Sequence, residues 1–90
     1  FFLLMELLCK EARDHGLSEK VARTLVVQTC IGSGHLARNS LFSPAELRQQ
    51  VTSKGGTTEA ALRVFEKEGL GRIVSKGVQA ALRRGKELSR

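Results

Sequence analysis

Two adjacent glycines flanked by hydroxyl side chains make Thr52-Ser53-Lys54-Gly55-Gly56-Thr57-Thr58 the stretch of this chain best suited to hold a small polar molecule. Glycines there let the backbone take positive φ and turn several N–H groups toward one point, and the free amides of a following helix add positive character. Such a loop can hold an anion. The hydroxyls of Ser53, Thr57 and Thr58 can donate and accept, so they can also orient a polar ligand. The order is not that of a nucleotide P-loop, GxxxxGK[ST], no strand is expected before it, and it is not a dinucleotide-binding Rossmann fingerprint. Residue types alone leave two readings open: an interhelical loop with capping threonines, and an anion site.

Other chemistry-bearing residues are sparse. Cys9, His15, Cys30 and His35 could be strung together as four metal ligands, but their gaps are unlike zinc spacings. The cysteines are expected to be small core residues, with His15 and His35 near helix ends, so no metal is expected. Two cysteines with no CxxC pair and no secretory leader fit a reducing compartment, by default the cytoplasm. The formal net charge of +6 raises nucleic acid as a partner. The fifteen Lys and Arg are spread among nine acids without a run of five or six like charges, which suits a solvated helical surface. Neither nucleic acid nor membrane is therefore expected as a partner. The apolar start from Phe1 to Leu8 is interrupted by Glu6 and then Lys10, too early for a membrane span or signal peptide.

The elements that position the loop read as helices. Apolar Leu4, Leu7, Leu8 and Ala12 line one face of a helix over residues 1 to 15, ended by Gly16. It begins without a capping residue, which suggests the tail of a longer protein. Ser18 can cap a second helix running to about Arg38, with Glu19 at the positive end of its dipole. After a turn at Asn39 to Phe42, Ser43-Pro44-Ala45-Glu46 carries a helix start: a capping Ser, a Pro where no N–H is needed, and a Glu to complete a capping box. This short helix reaches Val51 or Thr52, burying Leu47 and Val51. Thr57 or Thr58 can cap a fourth helix carrying Ala61, Leu62 and Phe65 to near Lys67, and Gly69 and Gly71 punctuate. A last helix from about Leu70 carries Ile73, Val74, Val78, Ala81, Leu82 and Leu88 inward, with Arg72, Lys76, Arg83, Arg84, Lys86 and Arg90 mostly outward. No stretch has a sustained strand period, so the fold class is all-α, with about five helices.

Ninety residues support one domain. The second helix is nevertheless apolar on several faces, through Val21, Leu25, Thr29, Gly32 and Leu36, through Ala22, Val26, Cys30, Ser33 and Ala37, and through Val27 and Ile31. Such a helix must be buried on most sides, and a second chain can supply the cover. Gly32, Ser33 and Gly34 either admit a second backbone or mark a weak point or early end of the helix, where Gly costs about 1 kcal/mol relative to Ala. Gly77 and Gly85 pose the same alternative between close packing and tolerated surface defects.

The run from Ser43 through Pro44-Ala45-Glu46-Leu47 to Val51-Thr52-Ser53-Lys54-Gly55-Gly56-Thr57-Thr58, followed by Ala60-Ala61-Leu62-Arg63-Val64-Phe65-Glu66, resembles the signature of the pyrroline-5-carboxylate reductases. That pattern is P-x-x-L-x-x-x-V-[TS]-S-P-G-G-[TA]-T, with A-L-x-V-[LF]-E downstream. A weaker likeness extends upstream through Gly16-Leu17-Ser18, Ala22 and Gln28-Thr29. One departure is Lys54, where the family usually has Pro: it either loosens the loop, adds positive charge, or is an exposed Lys without a role, and it stays outside the expected site.

The resemblance implies that residues 1 to 90 are the C-terminal dimerisation and substrate-loop domain, intertwined with a second copy. Family members are about three times longer, in keeping with a preceding dinucleotide-binding Rossmann domain, absent here, that binds NADPH or NADH. The whole enzyme would pass hydride to the ring C=N carbon of 1-pyrroline-5-carboxylate and give L-proline. Carried over by position, Ser53 and the backbone around Gly55, Gly56 and Thr57 bind the substrate carboxylate, and the Thr58 hydroxyl meets the ring nitrogen as the catalytic group. The resemblance also implies a homodimer, assembled into decamers in some relatives, burying Leu25, Val26, Ile31 and Leu36. This chain alone is expected to be inactive. Competing readings are a helical nucleic-acid-binding module and a non-catalytic oligomerisation domain.

Overall fold

The computed structural model describes residues 1 to 89. Their elements are five helices, α1 (Phe2–Asp14), α2 (Glu19–Asn39), α3 (Pro44–Gln50), α4 (Thr57–Lys67) and α5 (Leu70–Leu88), with no strand among the described residues. The all-α expectation holds. Arg90, placed outward by its spacing, lies outside the described residues. The chain divides into two compact units, residues 1–47 and 48–90.

In the first unit α1 packs on α2. Their connection is a Schellman turn: Leu17 N–H donates to Ala12 O at 3.0 Å and Gly16 N–H to Arg13 O at 3.0 Å, satisfying carbonyls that the helix end would leave free. Lys10 and Asp14, one turn apart, pair at 2.7 Å. The hydrogen bond and the opposite charge raise the Lys10 pKa and lower that of Asp14. The Ser18 hydroxyl then caps α2, accepting from Val21 N–H at 3.2 Å, as its position predicts. The helix runs unbroken through Gly32 and Gly34 to Asn39, so these residues do not end it. A Cβ at either position would meet nothing within 4 Å.

The capping box at Ser43 forms in both directions: Glu46 N–H donates to Ser43 Oγ at 3.2 Å, and Ser43 N–H to Glu46 Oε1 at 3.1 Å. The bond from the Ser43 backbone, with that of its hydroxyl, lowers the Glu46 pKa. The helix stops at Gln50, a residue short of its expected end. Leu47 is half-buried, but Val51 is exposed.

In the second unit α4 meets α5 through a two-residue connection. Gly69, at φ +80, serves both helices. Its N–H donates to Glu66 O at 3.1 Å, closing α4, and its carbonyl accepts from Ile73 N–H at 3.0 Å, opening α5. A side chain at this left-handed position would crowd the following carbonyl, which is why the double role falls to glycine. Gly71, expected as a second punctuation mark, is instead inside the first turn of α5. One glycine in the left-handed region completes the reversal, and the second is not needed.

The burial pattern departs most from expectation. Ala22 is the only buried residue among those described. Cys9 and Cys30, expected in a core, are half-buried free thiols. Ile73, Val74, Val78, Leu82 and Leu88, expected inward on α5, are exposed, as are Leu25, Ile31 and Leu36 on α2. Val26 is half-buried. The spacing correctly identifies apolar faces, but within one chain α1 meets only part of α2 and α4 only part of α5, so most of the apolar surface has no intrachain cover.

Candidate functional site

The loop between α3 and α4 is built from its two ends inward. Thr52, two residues past α3, is tied back to it: its N–H donates to Gln49 O at 3.2 Å and its hydroxyl to Arg48 O. Gly56 N–H then donates to Ser53 O at 3.0 Å, closing a four-residue turn with Gly55 at φ +76. Only glycine takes that backbone region without strain. A Cβ on Gly56 would lie 3.2 Å from Ser53 O and 3.4 Å from Ser53 Cβ, so the turn is also closed too tightly there for a side chain.

Neither Thr57 nor Thr58 caps α4. Gly56, extended at φ −87 and ψ −178, is the N-cap; Thr57 and Thr58 are the first two helical residues, and no side chain caps the end. The physical reason is the tight Ser53–Gly56 turn, which delivers the chain to the helix one residue earlier than a threonine cap requires. The first helical bond is donated by Ala60 N–H to Gly56 O at 3.2 Å. The N–H groups of Thr57, Thr58 and Glu59 therefore point out of the helix end without helical partners, a row of donors at the positive end of the helix dipole.

Of the residues singled out from the sequence, Ser53, Gly55 and Thr57 are exposed, and Gly56 and Thr58 are half-buried. All sit within one turn and the first turn of α4. The Gly55 amide donates to Glu59 Oε1 and the Gly56 amide to Ser53 O, while the open amides are those of the next three residues. Lys54 is exposed.

Glu59 was not among the expected residues. Its Oε1 accepts from Gly55 N–H at 3.1 Å and from Arg63 Nη2 at 3.2 Å. Together with Gly55, Gly56 and Ala60, these two side chains line a shallow groove on the flank of α4. The signal was present in Gly56-Thr57-Thr58-Glu59, which places a Glu at the third helical position after a non-hydroxyl cap. Among the described residues no three His, Cys, Asp or Glu side chains gather as a metal site, and no helix is long and apolar enough to cross a membrane.

Fold and loop together define a class: an all-helical domain that carries broad uncovered apolar faces beside an amide-lined, hydroxyl-bearing helix start. A family pattern described as pyrroline-5-carboxylate reductase dimerisation matches residues 1–88. The chain belongs to this family. It is 42% identical over 89 residues to the pyrroline-5-carboxylate reductase of Pseudomonas aeruginosa, covering 99% of this chain and 33% of that protein. It is 34% identical to pyrroline-5-carboxylate reductase 1 of Bacillus subtilis, over 99% of this chain and 30% of that one. Among solved structures it resembles the Coxiella burnetii pyrroline-5-carboxylate reductase, with a TM-score of 0.94 and 43% identity over 99% of this chain and 33% of that one. It also resembles the Plasmodium falciparum pyrroline carboxylate reductase with NADP bound, with a TM-score of 0.95 and 29% identity over 99% of this chain and 35% of that one. The chain thus spans about a third of the length of these relatives.

Proposed function

We propose that this chain is the dimerisation and substrate-loop domain of a cytoplasmic enzyme that reduces 1-pyrroline-5-carboxylate to L-proline. The observation that carries the reading is the row of open amides at Thr57, Thr58 and Glu59 that follows the glycine turn, in a stretch that also holds Ser53 and Thr58. A carboxylate suits such a helix start because backbone donors and the helix dipole act on it together. A ring carrying that carboxylate would present its imine nitrogen to the Thr58 hydroxyl.

In the whole enzyme a reduced nicotinamide, NADPH or NADH, would be the source of hydride for the C=N carbon. A Rossmann cradle is built on a strand leading into a glycine-rich turn, and the described residues are all helix and loop. We assign the dinucleotide to a separate Rossmann domain beyond this chain. This chain's part is to hold the carboxylate still through the amides and the Ser53 hydroxyl, fixing the ring for transfer. The Thr58 hydroxyl stabilises or relays the proton that the nitrogen needs as the carbon is reduced. The chain acts as a homodimer, in which the uncovered faces of α2 and α5 find their partners. Proton transfer by a positioned group is worth about 10²-fold or more. Thr58→Ala in the whole enzyme should therefore reduce imine turnover by about that factor. Wild-type turnover would remove the role of Thr58.

A further inference from the structure

We propose that Glu59 is the positioning residue of the substrate loop, tying the Ser53–Gly56 turn to the first turn of α4 and so fixing the Ser53 hydroxyl relative to Thr58. The inference rests on the site reading above and adds a residue to it.

The Ser53–Gly56 turn is closed on itself by the Gly56 N–H to Ser53 O bond at 3.0 Å, which holds the turn's shape but not its orientation on the helix. Gly56 O, accepting from Ala60 N–H at 3.2 Å, anchors the last residue of the turn to α4, and fixing the rest of the turn needs a second bond to the helix. Glu59 Oε1 provides it, accepting from Gly55 N–H at 3.1 Å across the helix start. The same oxygen accepts from Arg63 Nη2 at 3.2 Å, one helical turn further on. Arg63 thereby restrains the rotamer that reaches back to the loop. The Glu59 side chain is 29% exposed while that of Arg63 is 78% exposed, so the carboxylate is the sheltered member of the pair.

The pair also answers an electrostatic problem. A carboxylate at the third helical position favours the helix dipole, yet it stands next to amides meant for a second carboxylate. The Arg63 guanidinium offsets that negative charge where it would oppose the substrate. Glu59 therefore contributes an acceptor to the loop, and Arg63 keeps the acceptor in place and compensates its charge.

The test compares the whole enzyme carrying Glu59→Ala, Glu59→Gln, Arg63→Met or Thr58→Ala, in steady-state reduction of the imine and in amide hydrogen exchange across residues 52 to 58. Glu59→Gln keeps the Oε1 acceptor, and Glu59→Ala removes it. Loss of a hydrogen bond to a charged acceptor corresponds to about a tenfold effect on binding. Glu59→Ala should therefore raise the imine KM by about tenfold, leave kcat within about twofold, and speed exchange at Gly55. Glu59→Gln should stay within about threefold of wild type in KM, with the exchange protected.

Wild-type KM and unchanged exchange in Glu59→Ala, alongside an impaired Thr58→Ala, overturn the positioning role alone. A Glu59→Gln enzyme as impaired as Glu59→Ala also overturns it, because the acceptor would then not be what matters. Wild-type turnover in Thr58→Ala instead defeats the underlying site reading, while the exchange experiment still tests the tether. Should Glu59→Ala fail to assemble in sedimentation, Arg63→Met is read in its place. Its KM should rise about two- to threefold, and an unchanged value overturns the proposal.

Discussion

Dilution should unfold this domain, because a single chain buries too little to hold itself together. Ordering each residue costs roughly 1.5 kcal/mol in conformational entropy, so ninety residues oppose folding by over about 100 kcal/mol. Against this, the described residues of one chain fully bury Ala22 alone, and Leu25, Ile31 and Leu36 of α2 and Ile73, Val74, Val78 and Leu82 of α5 stay largely in water. Helices in proteins draw most of their stability from packing an amphipathic face, and much of the apolar face of α5 is exposed in the single chain. Folding and association must then be one equilibrium, and stability must depend on protomer concentration. At about 0.7 kcal/mol per residue, two chains of 90 residues unfold with an enthalpy of about 125 kcal/mol, so Tm near 60 °C should fall by about 4 °C for each tenfold dilution. Circular dichroism at 222 nm through thermal melts, from about 2 to about 200 µM chain, measures it, with sedimentation velocity at both ends of the range. A helical monomer whose Tm does not move with concentration would refute the reasoning.

Further outcomes follow from individual residues. Val78→Asp replaces a residue 54% exposed in the single chain, so it removes little intrachain packing; it should nonetheless shift sedimentation from dimer to monomer, since the α5 face is where a partner is expected. Ser43→Ala should destabilise the domain by about 1 kcal/mol in denaturant melts, through loss of the α3 cap. The same change should move the NMR titration of Glu46 part of the way upward, because it removes the hydroxyl that helps hold the pKa down and keeps the backbone N–H that does more. With a folded pKa below the unfolded value, the Glu46 contribution is present above the ordinary carboxylate range and is lost as pH falls through the lowered pKa. Gly69→Ala puts a side chain at φ +80 and should cost about 1 to 2 kcal/mol, read from the same melts.

Local chemistry was legible in the sequence wherever neighbours in the chain decide it. Ser18 caps α2 and Ser43 with Glu46 forms a full capping box, because each bond spans three residues and needs no tertiary partner. The five helices and their apolar faces follow in the same way from spacing. The family resemblance rests on residues 43 to 66, where the capping signals and the glycine loop coincide.

Three things came only from the three-dimensional structure. The first is that Gly56 caps α4 in place of a threonine: this depends on where the Ser53–Gly56 turn delivers the chain, which is a matter of backbone path and not residue type. With Gly56 as the cap, Thr57 joins Thr58 and Glu59 in the open row and Ala60 leaves it, while the glycine amides are taken by Ser53 O and Glu59 Oε1. The second is the Glu59 tether, whose acceptor reaches the loop only once Gly55 adopts its left-handed turn. The third is that the α5 face, expected inward, stays exposed in the single chain as the α2 faces do. Periodicity identifies which side chains avoid water but not what covers them, since a residue four along a helix is fixed by the helix while its partner is fixed by packing. In this chain the sequence determines helices, caps and a glycine loop, and the tertiary structure decides which amides remain free and that the hydrophobic cover must come from outside the chain.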